Sequence, residues 1–157
     1  MFIQNVSYEE VKTGNHFDCG ENSMLIQIMD PNMSFPWPKH KFKEKYQFNF
    51  FDLDDERPNM GCINEEQAEA IVKLLQHALD DRMQVIVHCA AGMCRSGAIA
   101  EVGVMMGFQD TEKFRLPNTL VKRRMIKALG WAYDDTEPVL NMTDSGIIIA
   151  SMSDYGG

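Results

Sequence analysis

Five residues separate a cysteine from an arginine in the segment His88-Cys89-Ala90-Ala91-Gly92-Met93-Cys94-Arg95-Ser96. A thiolate is a strong nucleophile, and a planar guanidinium binds two oxygens of one phosphate at once, as a lysine ammonium cannot. Between the two, Ala90, Ala91 and Gly92 let the backbone curl without steric bulk. Several N–H groups of the loop Ala90, Ala91, Gly92, Met93, Cys94 can then aim at one point. At a helix N-terminus the dipole favours an anion at that point, and the same field favours the thiolate of Cys89. The chemistry this permits is in-line attack of Cys89 on a cradled phosphoryl group held by Arg95. Ser96 can donate its hydroxyl to the sulfur and ease its departure in a second step, and His88 can orient the loop through a hydrogen bond. A buried cysteine on a glycine turn, with Arg95 merely exposed, is the plainer reading. The full spacing, between an apolar strand and a helix, is much more specific than a lone cysteine and glycine.

Cleaving a phosphate ester at neutral pH also needs a proton for the leaving oxygen, which a carboxylic acid can give and later take back from water. The carboxylate-rich run from Asp52 to Asn59 offers Asp52, Asp54 and Asp55.

The elements that must position these groups follow from pattern. Met24–Met29 reads as a short buried strand stopped by Asp30-Pro31, and Tyr46–Leu53 as a second, with Tyr46, Phe48 and Phe50 on one face. Asn64 and Gln67 form a capping-box pair ahead of a helix with Ala68, Ile71, Val72, Leu75 and Leu79 on one side, ending at Asp80-Asp81-Arg82. Val85-Ile86-Val87 is wholly apolar, as expected of a central strand covered on both faces. A helix follows from Ser96 to about Gly107, and another from Pro117-Asn118 through Leu129. This order predicts an α/β fold: a single domain with a central, mostly parallel sheet flanked by helices. The domain spans residues 1–157, with its core at about 17–130. Residues 131–157 form a C-terminal extension in which Gly146–Ala150 would add an edge strand.

The chain of 157 residues carries 45% hydrophobic and 24% charged residues, an ordinary globular balance. Its net charge of −8 argues against general affinity for nucleic acid or anionic membranes. No apolar run is long enough to span a bilayer, and no signal peptide is evident. Cys19, Cys62, Cys89 and Cys94 do not suggest a disulfide scaffold, so a cytoplasmic location is expected. His88, Cys89 and Cys94 fit no closed zinc site. Lys122, Arg123, Arg124 and Lys127 read as a solvated helix face rather than a docking patch. Phe35, Trp37 and Phe42 read as packing of a proline-rich loop.

The segment His88–Ser96 resembles the signature of the protein tyrosine phosphatase superfamily: histidine-cysteine, five residues, arginine and serine or threonine. The short chain resembles its dual-specificity-like branch, and the small bacterial and phage proteins within it. Counterparts to the strand ending at Asp30-Pro31, the aromatic strand ending at Asp52, the helix before the signature and the Pro117-Asn118 helix extend the likeness over residues 17–130. The resemblance implies a cysteine-phosphatase fold, a phosphocysteine intermediate at Cys89, phosphate binding by Arg95, no metal or other cofactor, and a phosphorylated protein or peptide as substrate. It favours Asp52, directly after the aromatic strand, as general acid, with Asp55 second by its spacing from the signature and Asp54 between them. Low-molecular-weight tyrosine phosphatases also carry a cysteine just before the signature arginine, which suggests a reversible Cys89–Cys94 disulfide under peroxide. Lysine and a second arginine are absent from the loop, which favours a substrate with one phosphate, on tyrosine or on serine and threonine. An RNA 5′-phosphatase, a catalytically silent phosphate-binding module and a sulfur-transfer protein are the alternatives. The acidic charge disfavours the first, and Cys89 with the aspartates disfavours the second.

Overall fold

Strands β1 (Phe2–Val6), β2 (Ser23–Met29), β3 (Glu44–Asn49), β4 (Gln84–His88) and β5 (Gln109–Asp110) alternate with helices α1 (Tyr8–Thr13), α2 (Glu65–Asp80), α3 (Arg95–Met106) and α4 (Thr119–Ala128). The computed structural model describes residues 1–57 and 60–130. The expected edge strand at Gly146–Ala150 and the remainder of the extension from Trp131 lie outside the described residues. The five strands form one sheet in the order β3-β2-β4-β1-β5, and every pairing is parallel. The expected α/β architecture is thus the observed one, with the sheet wholly rather than mostly parallel among the described residues.

Centre and edge follow from composition. Every residue of β2 is buried, because it lies between two strands and under both layers. β3 is an edge strand and alternates half-buried with exposed, so Tyr46 and Phe48 face the core side while Lys45 and Gln47 face water. It ends at Asn49, four residues before the expected Leu53. The Phe50 amide makes the last bond to β2, at the Met29 carbonyl (3.1 Å), and the Phe51 amide turns to the Gly61 carbonyl (2.8 Å). β2 itself stops at Asp30-Pro31, where proline has no N–H to continue a ladder.

One sheet face packs Met24, Ile26, Ile28, Val85 and Val87 against α2, α3 and α4. The other packs Leu25 and Ile86 against Val11 of α1, Cys19 and Phe42. The Asn64–Gln67 capping box forms as the spacing predicts, and α2 buries Ala68, Ile71, Val72, Leu75 and Ala78. The basic residues of α4 are not simply solvated. Arg124 and Lys127 pair with Glu65 of α2, Lys122 with Glu101 of α3, and Arg124 also with Glu56 of the acidic loop after β3, tying all three to α4. No described helix is long and apolar enough to cross a membrane.

The sheet also takes in residues ahead of the 17–130 stretch. β1 enters between β4 and β5, and its register pairs Val6 with His88, directly before Cys89. Gln4 and Asn5 break the apolar pattern of Phe2-Ile3-Gln4-Asn5-Val6, so periodicity alone does not mark this strand. Its one local signal is the capping box of α1, in which Ser7 and Glu10 exchange bonds at 3.1 and 2.9 Å.

Candidate active site

β4 delivers Cys89 and α3 begins at Arg95, so the loop between them must turn back at the carboxyl end of the sheet. Gly92 makes the tightest part of that turn, with φ of +77°. A Cβ there would lie 2.5 Å from the Val6 carbonyl carbon and the Ser7 amide nitrogen. The junction of β1 and α1 therefore presses on the loop, and only glycine fits.

The orientation of the loop amides follows from where its carbonyls go. The Cys89 carbonyl accepts from His88 Nδ1 (3.3 Å) and the Gly92 carbonyl from Asn5 Nδ2 (2.7 Å). The Ala90 carbonyl accepts from the Tyr8 amide (3.2 Å) and the Met93 carbonyl from the Leu116 amide (2.9 Å). In a trans peptide the N–H points opposite to the preceding C=O. Four scaffold donors thereby hold four carbonyls outward and turn the amides of Ala90, Ala91, Met93 and Cys94 the other way. Those amides meet no partner among the described residues.

Cys89 is buried at the base of this ring. Its Sγ lies 3.2 Å from Ser96 Oγ and accepts the Gly92 amide at 3.3 Å. Arg95 is buried too, and its Nη1 donates to Asp30 Oδ1 and to the Phe50 carbonyl, both at 2.7 Å. Its Nε is buried with no partner among the described residues. A buried donor left unpaired is costly, and here it belongs to the group best suited to an oxyanion.

His88 is held in one tautomer. Gln27 accepts from Gln47 Nε2 at 3.0 Å, and its own Nε2 donates to the Pro36 carbonyl (3.2 Å) and toward His88 Nε2 (3.2 Å). His88 Nε2 is therefore the acceptor, and Nδ1 carries the proton given to Cys89. Burial drives the imidazole pKa down to about 4; the bond to the Cys89 carbonyl opposes this, and the Arg95 charge adds to it. The ring is neutral at physiological pH.

The three aspartates part company. Asp52 accepts from Asn118 Nδ2 at 2.6 Å and, together with Asp54, lines a cleft with Cys94, Leu116 and Pro117 at the end of the Cys89–Arg95 loop. Burial pushes the Cys94 thiol up, and the negative charges of Asp52 and Cys89 push it further, so Cys94 stands within the field of both. Asp54 accepts from the Thr119 amide (3.2 Å) at the start of α4. Asp55 pairs with Arg57 at 2.9 Å, out in solvent.

Four further residues build the site without having been singled out for it: Asn5, Gln27, Asp30 and Asn118. Asn5 and Gln27 carry no motif, because their partners lie 87 and 61 positions away. Asp30 and Asn118 were visible only as a strand stop and a helix start.

No protein-family model and no curated protein sequence matches this chain. Solved structures do. A human tyrosine phosphatase-like serine/threonine/tyrosine-interacting protein superposes with a TM-score of 0.54 over 80% of this chain and 89% of its own, at 16% identity. That likeness establishes the cysteine-phosphatase fold. A tyrosine phosphatase of Orf virus, described as having triple substrate specificity, is 25% identical over 66% of this chain, with a TM-score of 0.45. The chain spans 55% of the viral protein's length.

Proposed function

We propose that the chain is a cysteine-dependent phosphatase acting on phosphotyrosine, and on phosphoserine or phosphothreonine, in proteins or peptides. The observation that carries this reading is the ring of outward-held carbonyls around Cys89 Sγ, with the unpaired Nε of buried Arg95 beside it. Inward amides and a guanidinium suit the equatorial oxygens of a phosphoryl group, with the sulfur below for in-line attack. The thiolate of Cys89 forms the S–P bond as the ester P–O bond breaks. Asp52 supplies the proton to the departing oxygen, which leaves as an alcohol or phenol. Asp52, now a carboxylate, takes a proton from the water that attacks the phosphocysteine. The S–P bond breaks, phosphate leaves, and the thiolate re-forms with Ser96 Oγ as its hydrogen-bond donor.

Asp52 is preferred because its charge acts on Cys94 more strongly than that of Asp54, which lines the same cleft but is engaged at the start of α4, while Asp55 pairs with Arg57. Small or apolar loop side chains favour a single phosphate, and the acidic surface disfavours RNA. A free nucleophilic thiol suits the reducing cytoplasm. The test is hydrolysis of p-nitrophenyl phosphate by wild type and Cys89→Ser in the presence of chelator. Activity that depends on Cys89 and survives chelation is expected. Full activity in the variant, or loss to chelator alone, refutes the reading.

A further inference from the structure

Residues 111–118 join β5 to α4 and cross the start of α3 closely. A Cβ at Gly97 would lie 2.8 Å from the Cβ of Arg115. Burial alternates along this segment, but with the residue types inverted. The two basic side chains, Lys113 and Arg115, turn inward, while Glu112 stays exposed. Lys113 Nζ reaches both Glu10 carboxylate oxygens at 3.0 Å and the Asn5 carbonyl at 3.2 Å. Arg115 pairs with Glu101 at 3.4 Å and Asp110 at 3.1 Å. The apolar side chains turn outward, with Phe114 65% and Leu116 56% exposed. A solvated connection ordinarily does the reverse, and a shift by one residue would exchange the two faces. Partly exposed ion pairs add little stability, so folding alone does not explain two large apolar groups held in water.

Their location supplies the explanation. The Leu116 amide donates to the Met93 carbonyl of the phosphate loop. The Phe114 carbonyl accepts from Asn5 Nδ2 at 3.0 Å, and that same nitrogen holds the Gly92 carbonyl. Each exposed side chain is thus rooted in backbone fixed to the loop, and Leu116 lines the cleft that also holds Asp52 and Cys94.

We propose that Phe114 and Leu116 form a specificity rim that takes an apolar residue flanking the phosphorylated residue of a peptide substrate. This rests on the reading of the phosphate loop above. Leu116 lines the cleft beside the cradle and Phe114 stands two positions before it on the same exposed side of the segment, so a peptide seated by its phosphate would lay its neighbouring side chains there. Phe114 and Leu116 exclude water from one such apolar side chain, while Lys113 and Arg115 are already committed inward and offer no charge to it.

The test compares two phosphotyrosine pentapeptides, one with leucine and one with serine on both sides of the phosphotyrosine. Binding to the full chain carrying Cys89→Ser is measured by calorimetry, with and without Phe114→Ser plus Leu116→Ser. In parallel, wild type is assayed on p-nitrophenyl phosphate. The leucine peptide should bind about tenfold more tightly than the serine peptide, and the rim substitutions should bring the two to within about twofold. No preference before the rim is changed, including no binding of either peptide, overturns the proposal. So does a preference that survives, or an equal loss for both peptides. A rim variant that converts a dimer to a monomer on size exclusion also overturns it, assigning the face to a second copy of the chain. If the preference behaves as expected but wild type releases no phosphate, the rim stands and the phosphatase reading falls.

Discussion

Lowering the pH should destabilise this protein through His88, and the size of the effect can be worked from the site. The imidazole is buried, and its two nitrogens are already assigned: Nδ1 donates to the Cys89 carbonyl and Nε2 faces the amide nitrogen of Gln27. A second proton would set an N–H against that N–H and place a charge close to Arg95. The folded-state pKa of about 4 lies below the usual 6.5. A histidine with a depressed pKa contributes no penalty above the unfolded value. Between pH 6.5 and about 4 the unfolded chain takes up a proton that the folded chain refuses, so stability falls across that window. At about 1.4 kcal/mol per pH unit, the loss reaches about 2 kcal/mol at pH 5 and about 3 kcal/mol near pH 4. His88→Asn keeps an N–H near the place of Nδ1 and cannot titrate. Urea unfolding of both proteins from pH 7 to 4 checks this, because the carboxylates titrate in both and cancel in the difference. The wild-type curve should fall more steeply by the stated amounts. Parallel curves would refute the burial argument.

Asp52→Asn should lower kcat on a phosphopeptide by about 10²- to 10⁴-fold and remove one limb of its pH profile, whereas Asp55→Asn should leave both close to wild type. The opposite pattern would move the proton donor along the loop. Asn5→Ala removes the donor from the Gly92 and Phe114 carbonyls. It should cost about 1–3 kcal/mol in urea unfolding and weaken inhibition by inorganic phosphate, with Asn5→Asp failing to restore it because a carboxylate cannot donate. Under peroxide, oxidation of Cys89 to the sulfenic acid followed by attack of Cys94 should expel water and leave a Cys89–Cys94 disulfide, read by mass spectrometry. Only sulfinic acid at Cys89, with no linkage, would count against it.

The Cys89–Arg95 loop is shaped from outside itself. Ala90, Ala91 and Gly92 carry no side-chain polar group that could hold the loop's own backbone. What curls it is a set of donors from β1, α1, β4 and the segment before α4, each placed by the sheet or by a helix start. Arg95 is treated the same way, since Asp30 and the Phe50 carbonyl occupy Nη1 from the ends of two different strands and leave Nε unpaired.

The loop signature and most of the elements were legible in the sequence. Cysteine, five residues, arginine and serine is a local pattern, and its meaning depends on spacing that any strand–loop–helix unit preserves. The capping box at Asn64, the stop at Asp30-Pro31 and the apolar run of β4 are local as well, and each lies where periodicity places it. Tertiary structure decided what depends on distant partners. β1 was invisible because Gln4 and Asn5 interrupt its pattern, yet they are polar because strand pairing carries this segment to the edge of the loop. The proposed preference for Asp52 over Asp54 and Asp55 draws on partners such as Asn118, Thr119 and Arg57, two of them more than sixty positions from the aspartates they meet. The inward charges of Lys113 and Arg115 needed Glu10, Glu101 and Asp110 to be in place before Phe114 and Leu116 could face outward. Spacing along the chain encodes what a short loop can do; which side chains surround it is set only when parallel pairing brings remote segments to one end of the sheet.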